Sequence, residues 1–435
     1  MTSSVVVVGG GPAGMVLGLL LARAGITVTV LEKHADFLRD FRGDTVHPST
    51  MTLLDDLGLF NEFDALPQSR LEGMDLTQPD GTVVRAVDFS RLPVPHPYVA
   101  MVPQWDLLDL LASAAEREPN FTLRMDTEAT ALVHDDSGTV TGVHYISPEG
   151  EGTLVADLVV ACDGRHSMLR QQARLPVREF PVAFDVWWFR VPFPGRPQGS
   201  LLPRMRPGAA AITIPRTGYL QVALLGHKGR DAQLRAAGIE AFRQSVWDLL
   251  PEGSQVEQLA SMDEVKHLDV RLDRLTRWHC AGLLCIGDAA HAMSPVGGVG
   301  INLAVQDAVA TARLLAPALR QGEVSVQDLA RVRRRRLIPT VAVQGLQRVL
   351  HARLIVQVLS GRLAEAPQPL VALLRRVPAL ASIPGYLVGV GLLSERAPHW
   401  ARRDPVSGGV RASRARAWSA RSESPRSRRS PAGAG

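Results

Sequence analysis

The chain is poor in lysine and in cysteine. Only Lys33, Lys228 and Lys266 are lysines among 435 residues, so arginine supplies nearly all the positive charge. Cys162, Cys280 and Cys285 form no C-x-x-C pair, so neither a disulfide scaffold nor a zinc site is indicated. A reducing, cytoplasmic compartment is the expectation. There is no G-x-S-x-G elbow, no metal-ligand cluster and no W-x-W-x-I-P motif. No positive segment precedes Arg23, so the uncharged residues 1–22 do not read as a signal peptide. Nor do they read as a spanning helix, because Gly9, Gly10, Gly11 and Pro12 follow one another. The apolar stretch from Ala379 to Leu393 is too short to span a bilayer, and reads as a buried terminal helix or a dimer contact. No integral membrane segment is expected, and the chain is expected as a monomer or homodimer.

Positive charge is also scarcer than the total suggests. The formal net charge is +5, but residues 401–435 hold nine arginines against Asp404 and Glu423, leaving about −2 for the rest. The basic character belongs to a tail rich in Arg, Ser, Pro and Gly, expected to be disordered. It gives no reason to expect a nucleic-acid partner. Five arginines between Arg331 and Arg336 on an expected helix read as a solvated face. The full sequence is 46% hydrophobic and 21% charged, as suits a globular enzyme of two or three domains.

Val5 to Val8 is a β-branched run suited to a strand buried on both faces. A helix is expected from Met15 to Ala24, stopped by Gly25, and a second strand from Ile26 to Leu31. Between them Gly9, Gly11 and Gly14 fit G-x-G-x-x-G. The first glycine permits the tight turn, the second lets backbone approach a pyrophosphate, and the third allows close helix–strand packing. Pro12 and Ala13 lie just before the expected helix, whose free N-terminal N–H groups suit an anion, and are candidates for cofactor binding. Glu32, followed by Lys33, ends the second strand, where a carboxylate suits an unphosphorylated ribose. This motif alone does not separate FAD from NAD.

Two further motifs lie far along the chain. Cys162-Asp163-Gly164-Arg165-His166-Ser167-Met168-Leu169-Arg170 follows the expected strand Leu158 to Ala161. Gly287-Asp288-Ala289-Ala290-His291, then Pro295-Val296-Gly297-Gly298-Val299-Gly300, follows the strand Leu283 to Ile286 and opens a helix over about 301–320. With these residues the chain, over about 3–345, resembles the FAD-dependent aromatic hydroxylases typified by para-hydroxybenzoate hydroxylase. The resemblance implies an α/β fold: a Rossmann-like FAD-binding domain assembled from discontinuous pieces, an inserted β-rich substrate domain, and C-terminal helices. The expected FAD-binding pieces are 1–70, 101–178 and 270–330. The substrate pieces are 71–100 and 179–269, followed by a helical region over 331–400 and the tail over 401–435.

The same resemblance places Asp163 near the pyrophosphate and Asp288 at the ribityl chain. It places Pro295, Gly298, Gly300, Ile301 and Asn302 by the flavin ring and counts Gly287 among the cofactor-binding residues. Arg42 and Gln104 fall where the family contacts the cofactor. It implies FAD as cofactor, NADH or NADPH as donor, and O₂ and a small aromatic or heteroaromatic molecule as substrates, with oxygen transfer through a flavin C4a-hydroperoxide. His47, Trp187, Trp188, Tyr219, His227 and Pro295 are candidates for the substrate pocket. Core packing competes for the tryptophans, surface or structural roles compete for the histidines, and His291 reads as structural. An epoxidase or isoprenoid-type reductase of the same fold, and a non-catalytic flavin-binding protein, remain open alternatives.

Overall fold

The computed structural model describes residues 3–38, 45–77, 82–195, 200–216, 218–363 and 368–404. The β-branched run forms the strand Ser4–Val8, which sits inside a six-stranded sheet. In spatial order the strands are His279–Cys280, Leu283–Cys285, Leu158–Ala161, Ser4–Val8, Thr27–Leu31 and Phe121–Arg124. All neighbours run parallel except the short edge pair His279–Cys280 and Leu283–Cys285. Val7 lies beside Val30 on one side and Val160 on the other. The sheet thus brings together the ends of three strands that are distant in sequence. The Gly9, Cys162 and Ile286 turns all leave its carboxyl edge, where ligands bind in open α/β sheets.

The first helix spans Pro12–Arg23, three residues earlier than expected, because Pro12 takes the first helical position where its missing N–H costs nothing. Every residue from Ala13 to Ala22 is buried, so the helix is covered on all sides. The short strand Thr45–Val46 precedes the helix Pro48–Asp56. Pro48 again marks the helix start.

A seven-stranded sheet stands over that edge. Its order is Lys266–Leu268, Phe184–Pro192, Tyr219–His227, Ala209–Arg216, Ser200–Arg206, Gly73–Thr77 and Val83–Asp88. Alternation gives it two faces. Trp187, Phe189, Val222 and Leu224 pack with Phe242 and Val246 of the helix Asp231–Val246. The alternate residues Val186, Trp188, Ala223, Leu225 and Ile212 turn to the other side, toward the parallel sheet. The strand Val99–Met101 does not join this sheet; it pairs with Thr45–Val46 and Ser69–Leu71.

Two long helices, Gly300–Gln321 and Val326–Leu350, lead to a π-helical turn at His351–Ile355 and the shorter helices Val356–Leu359, Gln368–Arg376 and Ser382–Gly389. The arginine run corrects the expectation of a solvated face. Arg331 and Arg334 are exposed, but Arg336 is 1% exposed and points inward. No helix of the described residues is long and apolar enough to cross a membrane.

Candidate active site

One continuous cavity of about 1480 Å³ runs between the carboxyl edge of the parallel sheet and the inner face of the seven-stranded sheet. Pockets that hold a single small ligand are typically about 300–1,000 Å³, so this one has room for two.

One end is built from the three glycine-bearing turns. Gly9, with φ +109°, lies so close to Cys162 that a Cβ would stand 2.4 Å from its carbonyl oxygen. A Cβ on Gly14 would stand 1.9 Å from the Gly9 oxygen. These two glycines make the turn and the helix packing. Gly11 differs: a Cβ there would meet nothing within 4 Å, and the residue lines the cavity. The backbone at Gly11 is therefore open to a ligand.

Two helix N-termini face this end, Pro12–Arg23 and Gly300–Gln321. Neither has a side-chain cap or an acidic residue in its first turn. Uncapped first-turn N–H groups carry partial positive charge and suit anions. Glu32, buried, accepts from Gly10 N–H at 2.9 Å and from His34 N–H at 3.1 Å. Lys33 and Gln104 line the same end. Burial pushes the Asp163 carboxyl above its usual range, and its Oδ1 is buried with no partner among the described residues. Burial also raises Asp288, against the opposing charge of Arg165, whose guanidinium lies 3.6 Å away. A chain of polar cofactor atoms would meet both acids, the open backbone at Gly11 and the two helix ends. The donor set fits a dinucleotide.

The middle of the cavity is bounded by Pro295, Val296, Gly297, Gly298 and His47. Gly298 has φ +64°, and its carbonyl accepts from Thr45 Oγ1 at 3.1 Å and from His47 Nε2 at 3.0 Å. Burial drives the His47 pKa down to about 4, so it donates to that carbonyl as a neutral ring. The far end is apolar, with Met101, Phe89, Ile212, Ala223, Leu354 and Leu374 among its walls.

Most sequence candidates meet in this cavity: Gly9, Gly11, Pro12, Ala13, Glu32, Lys33, Gln104, Asp163, Asp288, Pro295, Gly298, Gly300, Ile301 and His47 line it. Gly14 and Gly287 pack behind it, and a Cβ on Gly287 would stand 3.2 Å from Ala304 Cβ. Asn302 is also behind, its Oδ1 accepting from Ser49 Oγ at 2.6 Å. Trp187 faces the other core and donates to Asp231 Oδ1 at 2.9 Å; strand alternation gives the cavity to Trp188 instead. Tyr219 carries Arg190 over its ring, and His227 reaches the Leu359 carbonyl at 3.1 Å; neither lines the cavity. Arg42 lies outside the described residues. His291 pairs with the buried Asp307 at 2.6 Å, a structural contact.

Sequence reasoning missed the apolar wall beyond residue 345 and the polar seam of Arg336, Gln344, Gln347 and His351. That seam was signalled by spacings of eight, three and four residues, which keep one helix face.

A family model described as "FAD binding domain" matches residues 2–344. The chain belongs to this family. It is 34% identical over 390 residues to 6-methylpretetramide 4-monooxygenase of Streptomyces rimosus, covering 88% of this chain and 91% of that protein. It is 27% identical over 350 residues to protoasukamycin 4-monooxygenase of Streptomyces nodosus subsp. asukaensis, covering 77% and 84%. Its fold matches the OxyS anhydrotetracycline hydroxylase structure from Streptomyces rimosus with a TM-score of 0.71 and 24% identity, over 92% of this chain and 77% of that one. The protein is an FAD-dependent monooxygenase with the para-hydroxybenzoate hydroxylase-type fold, and NAD(P)H is the donor typical of the family. These relatives do not favour the reductase, epoxidase or non-catalytic alternatives.

Proposed function

We propose that this monooxygenase hydroxylates an extended, mainly apolar aromatic molecule. The observation that carries the reading is the division of one large cavity into a glycine-rich, acid-bearing end and an apolar end. The names of the relatives, which include 6-methylpretetramide and para-nitrophenol monooxygenases, support an aromatic substrate.

In this reading FAD lies along the first end. Gly11 and the helix start at Pro12 and Ala13 hold the pyrophosphate, and Glu32 takes the ribose hydroxyls. Asp163 and Asp288 receive polar groups along the chain. Pro295, Gly298 and Ile301 would border the ring, and the Gly300–Gln321 helix end would suit negative charge there. Bound FAD supplies hydride acceptance from NAD(P)H and reaction with O₂. The overall change is balanced: ArH, O₂, NAD(P)H and one proton give ArOH, water and NAD(P)⁺. The protein positions the ring and excludes water from the reacting centre. The inner sheet face at Ile212, Ala223 and Leu225 forms a flat apolar floor. His47, held neutral by burial, fixes the glycine loop rather than taking a substrate proton.

The test is to purify the yellow protein and follow NADH and NADPH oxidation in air against monocyclic and polycyclic phenols, with mass detection. A compound that speeds oxidation and gains one oxygen supports the reading. Bound FAD with no stimulation by any aromatic contradicts it.

A further inference from the structure

The family match ends at residue 344, but the cavity does not. Among the described residues, every lining residue beyond that point, from Leu346 to Val388, is apolar.

The first part of this wall is one continuous helical run. Leu346 and Leu350 lie four residues apart on the Val326–Leu350 helix. The π turn His351–Ile355 then widens the spiral. Two adjacent pairs then line the cavity, Leu354 with Ile355 in that turn and Val358 with Leu359 in the helix Val356–Leu359. Such turns inside helices are frequent at functional sites. The second part comes from Gln368–Arg376, Pro378–Ala381 and Ser382–Gly389, which contribute Leu374, Leu380 and Pro384.

This wall is packed into the fold. Ile355 and Leu359 share a core with Val186, Ala223 and Leu225 of the sheet. Leu374 and Ala381 share one with Val84. Gly385 lies so close to the strand Val83–Asp88 that a Cβ would stand 2.3 Å from the Asp88 carbonyl oxygen. A packed wall without a hydrogen-bonding side chain can discriminate only by shape and apolar area. A fit of that kind is worth about 10–200-fold per methylene. A charged substituent buried against it would find no partner.

We propose that the apolar lining residues over 346–359 and 373–388 are the specificity element of this enzyme. They set how far a ring system extends from the glycine loop, and they accept only an edge free of charged groups. Polar substituents of the substrate face the His47 end. The inference rests on the reading of the apolar end as the aromatic site.

The test uses holoenzyme and three probes: 2-naphthol, 1-hydroxypyrene and 8-hydroxypyrene-1,3,6-trisulfonate, with binding read by fluorescence anisotropy. Wild type is expected to bind 1-hydroxypyrene more tightly than 2-naphthol, and to reject the trisulfonate. Leu354→Trp and Leu380→Trp, on separate elements, are expected to weaken 1-hydroxypyrene about tenfold or more and 2-naphthol less than about twofold. FAD content reports whether each variant is folded. Equal weakening of both phenols, or no change, in an FAD-replete variant overturns the inference. So does tight binding of the trisulfonate. If wild type binds neither phenol, the aromatic reading of the cavity fails first.

Discussion

Gln347 and Ser294 pair as two neighbouring strands would. Ser294 N–H donates to Gln347 Oε1 at 3.2 Å, and Gln347 Nε2 donates back to the Ser294 carbonyl at 2.9 Å and to the Val296 carbonyl at 2.9 Å. A side chain on the Val326–Leu350 helix thus replaces the sheet partner that the segment before Pro295 lacks. One turn away His351 Nε2 lies 3.0 Å from Ser294 Oγ, and Gln344 Nε2 donates to the Ala292 and Asp273 carbonyls.

Gln347→Leu therefore strips three hydrogen bonds from backbone, two at buried Ser294 and one at half-buried Val296. Each orphaned group costs about 1–3 kcal/mol, softened where water enters. The expected result is a melting temperature lower by several degrees and weaker FAD retention, read by flavin fluorescence on release. An unchanged FAD affinity would show that the loop does not depend on the clamp.

Arg336 and Asp307 form a buried pair, with Arg336 Nε 2.9 Å from Asp307 Oδ1. Asp307 Oδ2 also accepts from Gly287 N–H at 3.1 Å and meets His291 at 2.6 Å. Burial works against the Asp307 carboxylate, but His291 and Arg336 outweigh it and hold its pKa below the usual range. Arg336→Met leaves that carboxylate short of charge and is expected to cost about 3–5 kcal/mol in denaturant unfolding. The exposed Arg331→Ala is expected to stay within about 0.5 kcal/mol. Equal costs would contradict the account.

Gly11 and Gly14 separate binding from folding. Gly14→Ala drives a Cβ into the Gly9 carbonyl, so the apoprotein itself is expected to be destabilised. Gly11→Ala projects into open cavity, so the apoprotein melts normally while FAD affinity falls about tenfold or more. Thermal melts of apoprotein and FAD titrations decide between these outcomes.

Acid should weaken the fold through two histidines. Burial lowers His47 and His351 to about 4 each. In the unfolded chain the value is about 6.5. Between about pH 6.5 and about 4 the unfolded chain binds protons that the folded one refuses, so stability falls as pH falls through that window. Below about 4 these two groups add no further loss. His351→Asn is expected to flatten the drop in melting temperature between about pH 7 and pH 5; an unchanged drop would assign it to other groups.

How much of this was legible in the sequence follows from locality. The glycine turns, Glu32 and the strands that carry them are short-range patterns with fixed spacing, and they could be read directly. Alternation along Phe184–Pro192 implied that Trp187 and Trp188 face opposite ways, but nothing local said which side held the cavity. Arg336 reads as solvated among its neighbours, because its partner Asp307 is 29 residues away on another helix. The wall beyond residue 345 was hidden for a plainer reason. Leucines and valines that line a cavity look the same in sequence as those that fill a core.

The central claim is that oxygen from O₂ is placed on an aromatic ring in this cavity. The direct measurement is turnover of a stimulating phenol under ¹⁸O₂, with NADH or NADPH and mass detection. The account predicts a product one oxygen heavier that carries the label, with one NAD(P)H consumed per product when coupling is tight. NAD(P)H oxidation that yields only hydrogen peroxide for every aromatic tested, or a product whose new oxygen comes from water, would contradict it.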